Sequence, residues 1–411
     1  MAITKHRVPR TLAWLIVSSL FISCQTCSPN QKDGNGPERE GARVLEGAKP
    51  NHQLPPEVTL IQEKSGVIEL RSRQFISERL DHPGLLELRA REKLDEVIAP
   101  GRDEFEKMRL LCDWVNRQWE HGNPVPYPRW DANVILSMIR SGKTGGFCAQ
   151  YAVVFCQCCL SLGWQARYLD VLPDRTKPGG GHFTVEVWSN QYNKWILLDP
   201  SYNCWFGREG EPLSGLEVHE ALLAGDMESV RVIRGNSRSG LAASAADQEI
   251  ISKFFYLAAD MRTDHLSHPF HFWNRQDTYL SWNDLKTNDR HPICKLFTSD
   301  PADFNFPLNQ VHVQLKPGSL QGELICYIQT NMPDMETLMI RHDDGPWIKP
   351  PSPFNKNQRS VLKSALSPFH GQVLTYHWKL KPGGNKIRVR AVNRLGVAGP
   401  ASFLWVNYLA G

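Results

Sequence analysis

The segment from Cys148 to Leu162 is apolar or small at nearly every position. A helix that is apolar on all sides has to lie inside a domain, because none of its faces is suited to water. The two glycines before it, Gly145 and Gly146, allow the backbone to approach the start of the helix closely. The chain therefore predicts a central helix that begins at Cys148 and is covered on every side.

Cys148 stands in the first turn of this predicted helix. Backbone N–H groups there have no partner within the helix, and together with the helix dipole they favour a negative charge. Such a position stabilises a thiolate, and the N–H of Cys148 is itself a ready donor to an oxyanion. The alternative is a small core residue at a helix start, as free cysteines often are.

A β-hairpin is predicted after the helix. Polar and apolar residues alternate over 182–188, turn residues follow over 189–193, and a second strand runs over 195–199. A register that pairs Glu186 with Trp195 keeps the alternation in phase on both strands.

That register places His182 directly opposite Asp199, with Cβ atoms about 4.5–5.5 Å apart. A carboxylate at this distance can hold one imidazole nitrogen, and the other nitrogen is left to face Cys148. Pro200 then ends the strand. A cysteine that needs a base, and a base that needs an orienting partner, together indicate a thiol enzyme.

The stretch from Trp130 to Asn203 resembles the transglutaminase-like superfamily of papain-type thiol enzymes. In that superfamily a cysteine at a helix start precedes a strand with a histidine and then a strand ending in Asp-Pro. The resemblance implies that Cys148 is the nucleophile, His182 the general base and Asp199 the orienting acid. It also implies an α+β papain-like fold, in which the central helix packs against an antiparallel sheet, and no cofactor.

The superfamily includes protein cross-linkers, peptidases and peptide:N-glycanases. The segments 128–130 and 163–168 resemble the glycanase pattern, although the two CxxC zinc motifs usual upstream in those enzymes are not both present here. Phe183 and Thr184 stand where many members carry a tryptophan, a departure that leaves the three candidate residues in place.

Two helices are predicted before Cys148. Apolar side chains recur at three- and four-residue intervals over 102–120, and a second helix is predicted over 131–140. We expect both to pack around the central helix. Trp119 or Trp130 would either donate an indole N–H to the oxyanion, as a tryptophan does in some relatives, or pack in the core.

The N-terminus has the pattern of a secretion signal. A basic stretch from Lys5 to Arg10 precedes an apolar run over 11–23, which is too short to span a membrane as a helix. Residues 1–23 are therefore assigned to a signal peptide.

The residues just before Cys24 resemble a bacterial lipoprotein box, which implies a lipid on Cys24; a conventional signal peptide is the alternative. Residues 24–57 are polar and rich in Pro, Gly and Asn, which is typical of a flexible tether. We therefore expect a membrane-anchored lipoprotein that faces the periplasm or the cell exterior.

Residues 58–300 are assigned to the catalytic domain, beginning with short strands at 58–62 and 67–71, and residues 301–411 to a β-sandwich. The C-terminal part shows about seven short alternating segments separated by Gly and Pro turns, which is typical of a sandwich. It resembles immunoglobulin and fibronectin type III modules, and its expected work is spacing or substrate binding.

The net charge and the pattern of cysteines and histidines argue against nucleic-acid binding and against a metal site. The net charge is only +4, and the predicted signal peptide carries three of the positive charges, so nucleic acid is not an expected partner. For the C-x-x-C spacing at 156–159, no second pair or nearby histidine completes a zinc set, and Pro269 interrupts the three histidines His265, His268 and His271, so no metal site is expected.

The sequence thus predicts an extracytoplasmic thiol enzyme that cleaves or transfers an amide acyl group through an acyl-enzyme on Cys148, most simply as a protease- or amidase-type hydrolase. The expected substrate is a peptide, protein or glycopeptide. Deglycosylation like that of peptide:N-glycanases is one alternative. A non-catalytic lipoprotein that binds peptide or glycan is another.

Overall fold

The structure is a computed structural model that describes residues 52–176, 179–236, 246–269, 277–350 and 373–410. The predicted signal peptide and Cys24 lie outside the described residues. The α-helices are α1 (Pro83–Arg91), α2 (Leu94–Ile98), α3 (Glu104–Asn116), α4 (Ala132–Arg140), α5 (Cys148–Ser161), α6 (Gly215–Ala224), α7 (Asp247–Ile251) and α8 (Pro301–Phe304). The strands are β1 (Val58–Lys64), β2 (Ala166–Leu172), β3 (His182–Ser189), β4 (Lys194–Asp199), β5 (Cys204–Arg208), β6 (Glu211–Pro212), β7 (Arg231–Arg234), β8 (Tyr256–Asp260), β9 (Tyr279–Asp284), β10 (Asp289–Arg290), β11 (Leu296–Thr298), β12 (Val311–Pro317), β13 (Glu323–Thr330), β14 (Met335–His342), β15 (Trp347–Ile348), β16 (Leu374–Lys379), β17 (Gly383–Asn393) and β18 (Ser402–Tyr408).

Helix α5 is the centre of the N-terminal half. It begins at Cys148, as predicted, and every residue from Ala149 to Ser161 is buried. Helices α1, α3 and α4 pack around it, and the sheet strands β2 and β3 cover another side. The predicted α+β arrangement, with a central helix against an antiparallel sheet, is confirmed.

The sheet that carries the site is ten-stranded within the described residues, in the order β10-β9-β8-β2-β3-β4-β5-β6, with β7 beside β5 and β11 beside β9. Its pairs are antiparallel except for β11 with β9. All eight residues of β3 are buried. Both faces of its middle are therefore covered, one by the helices around α5 and the other by a second apolar cluster that includes Trp188 and Trp195.

Side-chain caps start the two helices predicted before Cys148. The Asp103 carboxylate accepts from the N–H of Glu106 at the start of α3, and Asp131 accepts from the N–H of Asn133 at the start of α4. Helix α3 ends at Asn116, four residues before the predicted end. Beyond it the chain turns so that Trp119 stacks on Tyr151 of α5, with ring centroids 4.1 Å apart.

A buried ion pair links the neighbouring strands β2 and β3. Arg167 of β2 and Glu186 of β3 are fully buried, with 2.6 Å between Nη2 and Oε2. The guanidinium lies 4.3 Å from the ring of Trp195 and donates to the carbonyl of Phe304. Glu186 also accepts from the N–H of Gly215. Each charge is thus paired and hydrogen-bonded, as burial requires.

The C-terminal strands form two packed sheets. Strands β12, β13 and β16 make a three-stranded sheet, and the five-stranded sheet has the order β1-β18-β17-β14-β15. Residues from both sheets, such as Val313, Ile328 and Val389, share one apolar core. The predicted sandwich is confirmed.

The N-terminal strand β1 belongs to this sandwich, where it pairs antiparallel with β18. The prediction that placed Val58–Lys64 at the start of the catalytic domain is therefore wrong, and so is the strand predicted over 67–71, where a 3-10 helix forms at Arg71–Gln74. Gly66 ends β1 by lying against Val311: a Cβ there would be 2.7 Å from that residue's carbonyl oxygen. At the predicted boundary between residues 300 and 301, Phe304 and Phe306 still pack in the core of the N-terminal half.

Within the part of the chain that the structure describes, none of the helices has both the length and the apolar character needed to cross a membrane.

Candidate active site

His182 and Asp199 stand at the ends of neighbouring strands. His182 is the first residue of β3 and Asp199 the last of β4, and both side chains are buried. The imidazole Nε2 and the carboxylate Oδ2 are 2.6 Å apart. This contact joins two of the three residues that the sequence singled out.

The predicted strand register is wrong by two residues. Trp188 pairs with Trp195 and Ser189 with Lys194, so the turn covers residues 190–193. Continued to the strand ends, this register makes His182 and Asp199 diagonal neighbours rather than direct partners. A shift of two residues keeps both side chains on the face predicted for them, whereas a shift of one would have separated them. Diagonal neighbours, with Cα atoms about 7–8 Å apart, are still within reach of an imidazole.

The carboxylate of Asp199 is held by the turn that follows it. Its Oδ1 accepts from the N–H groups of Ser201 and Tyr202, each at 2.9 Å, which leaves Oδ2 for the histidine. Asn116 of α3 donates to the carbonyls of Pro200 and Ser201 at 2.9 and 3.1 Å. The sequence analysis did not find Asn116, because a single polar residue at the end of an amphipathic helix looks like an ordinary solvent-facing position.

Cys148 is partly exposed, in contrast to the rest of α5. The N–H of Phe147 donates to the side chain of Gln150 at 3.1 Å, which caps the first turn and fixes the start of the helix. The side chain of Cys148 lies close enough to His182 to raise the pKa of the imidazole. Since Nε2 of that ring is bound to Asp199, Nδ1 is the nitrogen left for Cys148.

The surroundings of His182 favour its protonated form. Burial lowers the pKa of His182, but the charge of Asp199 and its hydrogen bond, followed by the interactions with Cys148, outweigh burial and raise the pKa to about 10. An imidazolium beside Cys148 is the partner that an anionic sulfur would need.

Close contacts, with backbone at Gly145 and with side chains at Gly146, leave no room for a Cβ at the two predicted glycines. A Cβ on Gly145 would lie 2.6 Å from the carbonyl oxygen of Asn123, and one on Gly146 would lie 2.6 Å from Nε1 of Trp119. The N–H of Gly122 donates to the Gly146 carbonyl at 2.8 Å, and the N–H of Gly145 donates to Asn123 at 3.1 Å. The segment 122–123 is thereby fixed against the loop that leads into Cys148.

The same segment continues into an exposed apolar rim near the start of α5. Val125 and Tyr127 are exposed at 68% and 42%, and the ring of Tyr127 lies 6.3 Å from that of Phe147. His121 precedes them, and desolvation followed by the charge of His182 lowers the pKa of His121. This segment therefore lies near His182 at its start and near Phe147, the residue before Cys148, at Tyr127.

The structure gives other partners to both tryptophans proposed for the oxyanion. Nε1 of Trp119 donates to the Gly146 carbonyl at 3.3 Å, and Nε1 of Trp130 donates to the Tyr127 hydroxyl at 3.2 Å. Both rings are buried. They brace the loop and the rim around Cys148, and a direct role at the oxyanion stays a prediction.

The remaining ligand-type residues are engaged elsewhere. Over the described residues there is no group of three or more His, Cys, Asp or Glu side chains that could hold a metal ion. His265 contacts Asp260 at 3.2 Å and His268 contacts Asp264 at 2.7 Å, while His271 lies outside the described residues. Burial raises the pKa of the thiols in the C-x-x-C segment, which pack in the core: Cys156, Cys158 and Cys159.

Comparison with known proteins identifies the domain around this site. Residues 91–200 match the family model of the transglutaminase-like superfamily, so this part of the chain is a transglutaminase-like domain. A solved transglutaminase from red sea bream is similar at 11% identity over 86% of this chain and 77% of that one, with a TM-score of 0.23. No curated protein matches the sequence. The superfamily indicates a cysteine-dependent acyl-transfer or hydrolase activity.

The causes of the raised histidine pKa predict an order among variants. Asp199→Asn removes the larger stabilising contributions and Cys148→Ala the smaller ones, so we expect the pKa of His182 to fall in both variants and to fall further in Asp199→Asn. NMR titration of the His182 ring checks this. An unchanged pKa in Asp199→Asn, or a larger fall in Cys148→Ala, would contradict the assignment.

The raised pKa of His182 also determines how the free energy of unfolding changes with pH. The folded-state pKa of about 10 lies above the unfolded value of about 6.5, so the imidazolium stabilises the fold fully below about pH 6.5. That contribution is lost as the pH rises through about 10. The gap in unfolding free energy between the parent and Asp199→Asn, measured in urea, should therefore narrow over this range.

Proposed function

We propose that this chain is a thiol enzyme that acts on an amide through an acyl-enzyme, with Cys148 as nucleophile, His182 as acid and base, and Asp199 as the group that orients His182. The observation that carries the proposal is the position of the buried side chain of His182, which interacts with both Asp199 and Cys148. Its Nε2 lies 2.6 Å from Asp199 Oδ2, and the ring also interacts with Cys148, whose thiol is partly exposed at the start of α5.

In the proposed reaction Cys148 forms and then releases the acyl-enzyme, and His182 alternately accepts and donates a proton. The Cys148 sulfur attacks the carbonyl carbon as a thiolate, its proton having passed to His182. The N–H of Cys148, in the first turn of α5, donates to the oxyanion of the tetrahedral intermediate. His182 then gives its proton to the leaving amine as the C–N bond breaks. Water, deprotonated by His182, attacks the thioester and releases the acid and the free thiol.

Hydrolysis is proposed over transfer to an amine, because water is always present and no feature of the chain demands an amine acceptor. The expected substrates are peptides, proteins or glycopeptides. The exposed apolar rim at Val125 and Tyr127 offers a surface against which a substrate side chain could lie beside Cys148.

Deglycosylation of the kind catalysed by peptide:N-glycanases is a second candidate. The two segments that resemble those enzymes are neighbours in the fold, since Trp130 packs against Tyr168 with ring centroids 5.2 Å apart. A protein that only binds peptide or glycan in the cleft is a third candidate, from a different class.

One experiment separates these functions. Full-length protein is incubated with a mixture of peptides and N-glycopeptides, with and without a primary amine, and the products are identified by mass spectrometry. Hydrolysis gives cleaved amides, transfer gives amine adducts, and deglycosylation converts asparagine to aspartate.

We expect cleaved amides, and we expect Cys148→Ala to lower the rate at least about a thousandfold, because the nucleophile, base and orienting acid act as a unit. Cys159→Ala is the matched control: it removes a free thiol that is fully buried in the same helix. Activity that survives in Cys148→Ala would refute the mechanism, and a chain with no activity on any of these substrates would favour the binding function.

We further propose that the mature chain is held at a membrane by a lipid on Cys24 and faces the periplasm or the cell exterior. The support is the basic and apolar N-terminus followed by Cys24 and a polar stretch. Mass spectrometry of the mature N-terminus in a bacterial host should show a diacylglyceryl-modified Cys24. An unmodified N-terminus at another residue would refute the anchor.

A further inference from the structure

The outward face of the five-stranded sheet carries only positive charges at its paired positions. Lys64 lies on β1, Arg341 on β14, and Lys386, Arg388 and Arg390 lie on β17. The strand registers place these five residues on the side opposite the sandwich core. The other paired outward positions contain no Asp or Glu: Thr59, Gln62, Thr337, Met339, Trp347, Gly384, Val392, Phe403, Trp405 and Asn407. We call this surface the cationic face.

Within the described residues, Arg388 is the only one of these five cations that lies within 4.0 Å of a carboxylate. Arg341 and Arg388 are direct cross-strand partners, an arrangement that like charges disfavour. At the end of the hairpin, Nη1 of Arg388 lies 3.9 Å from the carboxylate of Asp344 and donates to the carbonyl of Asp343 at 3.0 Å. Nη2 of Arg341 donates to the carbonyl of Asp344 at 3.1 Å. Nε of Arg341 and Nε of Arg390 are buried without a hydrogen-bond partner in the described structure. The carboxylates of the described residues therefore balance only part of the positive charge of this face.

Aromatic rings hold the cations in a fixed row. Arg390 lies 4.1 Å from the ring centroid of Trp347, and Arg388 lies 4.9 Å from that of Phe403 on the neighbouring strand β18. Lys386 lies 5.1 Å from the ring of Trp405. Because alternate residues of a strand are about 6.8 Å apart, the three cations of β17 form an evenly spaced line. Less side-chain freedom is then lost when an extended anion binds.

We propose that the cationic face binds an acidic polysaccharide. A linear chain of uronic or sulfated sugars presents one anionic group after another along an extended backbone, which matches a straight row of cations on a flat sheet. Guanidinium groups pair with carboxylates and sulfates through two parallel hydrogen bonds. The adjoining tryptophan and phenylalanine edges give apolar contact to sugar rings. Duplex nucleic acid fits less well, because this face offers neither a helix nor a ribbon for a groove.

This site is separate from the proposed chemistry at Cys148, so its test does not need an active enzyme. Full-length protein is titrated with polygalacturonate by calorimetry at low and at raised salt, with dextran as the neutral polysaccharide. Parallel titrations use duplex DNA and vesicles of phosphatidylserine in phosphatidylcholine. We expect binding to polygalacturonate that weakens as salt rises, and no binding to dextran.

Arg388→Gln with Arg390→Gln should weaken binding to polygalacturonate by about tenfold or more, since two charged hydrogen-bonding groups are lost. The matched control is Lys316→Gln with Lys379→Gln, which removes the same charge from the outer face of the three-stranded sheet, where Lys316 also lies over a ring. The control should change affinity by no more than about twofold.

Thermal unfolding of both double variants shows whether the row is merely structural. A lower melting temperature in Arg388→Gln with Arg390→Gln and unchanged affinity would overturn the proposal. So would absence of binding to polygalacturonate at low salt. Equal or tighter binding to DNA or to the vesicles, lost in the same variant, would also overturn it in favour of a general polyanion or lipid surface.

Discussion

The enclosure of helix α5 is the constraint on which the rest of the structure depends. Its residues from Ala149 to Ser161 are buried, so helices have to pack around it and a sheet has to cover another side. Only its first residue, Cys148, is partly exposed. The strands that cover the helix are buried on both faces, and β3 and β4 bring His182 and Asp199 to the same end as the start of α5. The burial of this apolar helix thus leaves the Cys148 thiol exposed at one end, beside the ends of β3 and β4.

Burying charged groups so deeply is tolerable only because each one is fully paired. Asp199 accepts two backbone N–H groups and the imidazole, and Glu186 accepts from Arg167 and from Gly215. Pairs of this kind add little net stability relative to an apolar core, because desolvation offsets their attraction. Their effect is to fix the positions of the side chains, because loss of one partner would leave the other charge unpaired in a medium of low dielectric constant. At the site this fixes the ring of His182 with one nitrogen on Asp199 and the other toward Cys148.

Local patterns in the sequence predicted the elements well, and the failures involve contacts between distant segments. The start of α5 at Cys148, the turn glycines and the strand alternation around His182 are local, and the structure has each of them. Alternation fixes which face a side chain occupies but not the length of the turn, so the register was wrong by two residues while the face was right. Strand β1 pairs with β18 at the opposite end of the chain, and a local sequence pattern cannot predict pairing between segments so far apart. Nor could spacing show that Asn116 holds the turn after Asp199, or that the indoles of Trp119 and Trp130 have other partners.

The central claim is that Cys148, His182 and Asp199 act as one unit, and the rate of Cys148 alkylation by iodoacetamide as a function of pH tests it most directly. The parent is compared with His182→Ala and Asp199→Ala, with Cys148→Ala as the blank; the other described cysteines are buried. We expect rapid alkylation of the parent at about pH 6, well below the range in which an unactivated thiol of pKa about 8.5 reacts, and slower alkylation in both variants. Slow alkylation at that pH with a profile unchanged in either variant would show that the three residues are only structural.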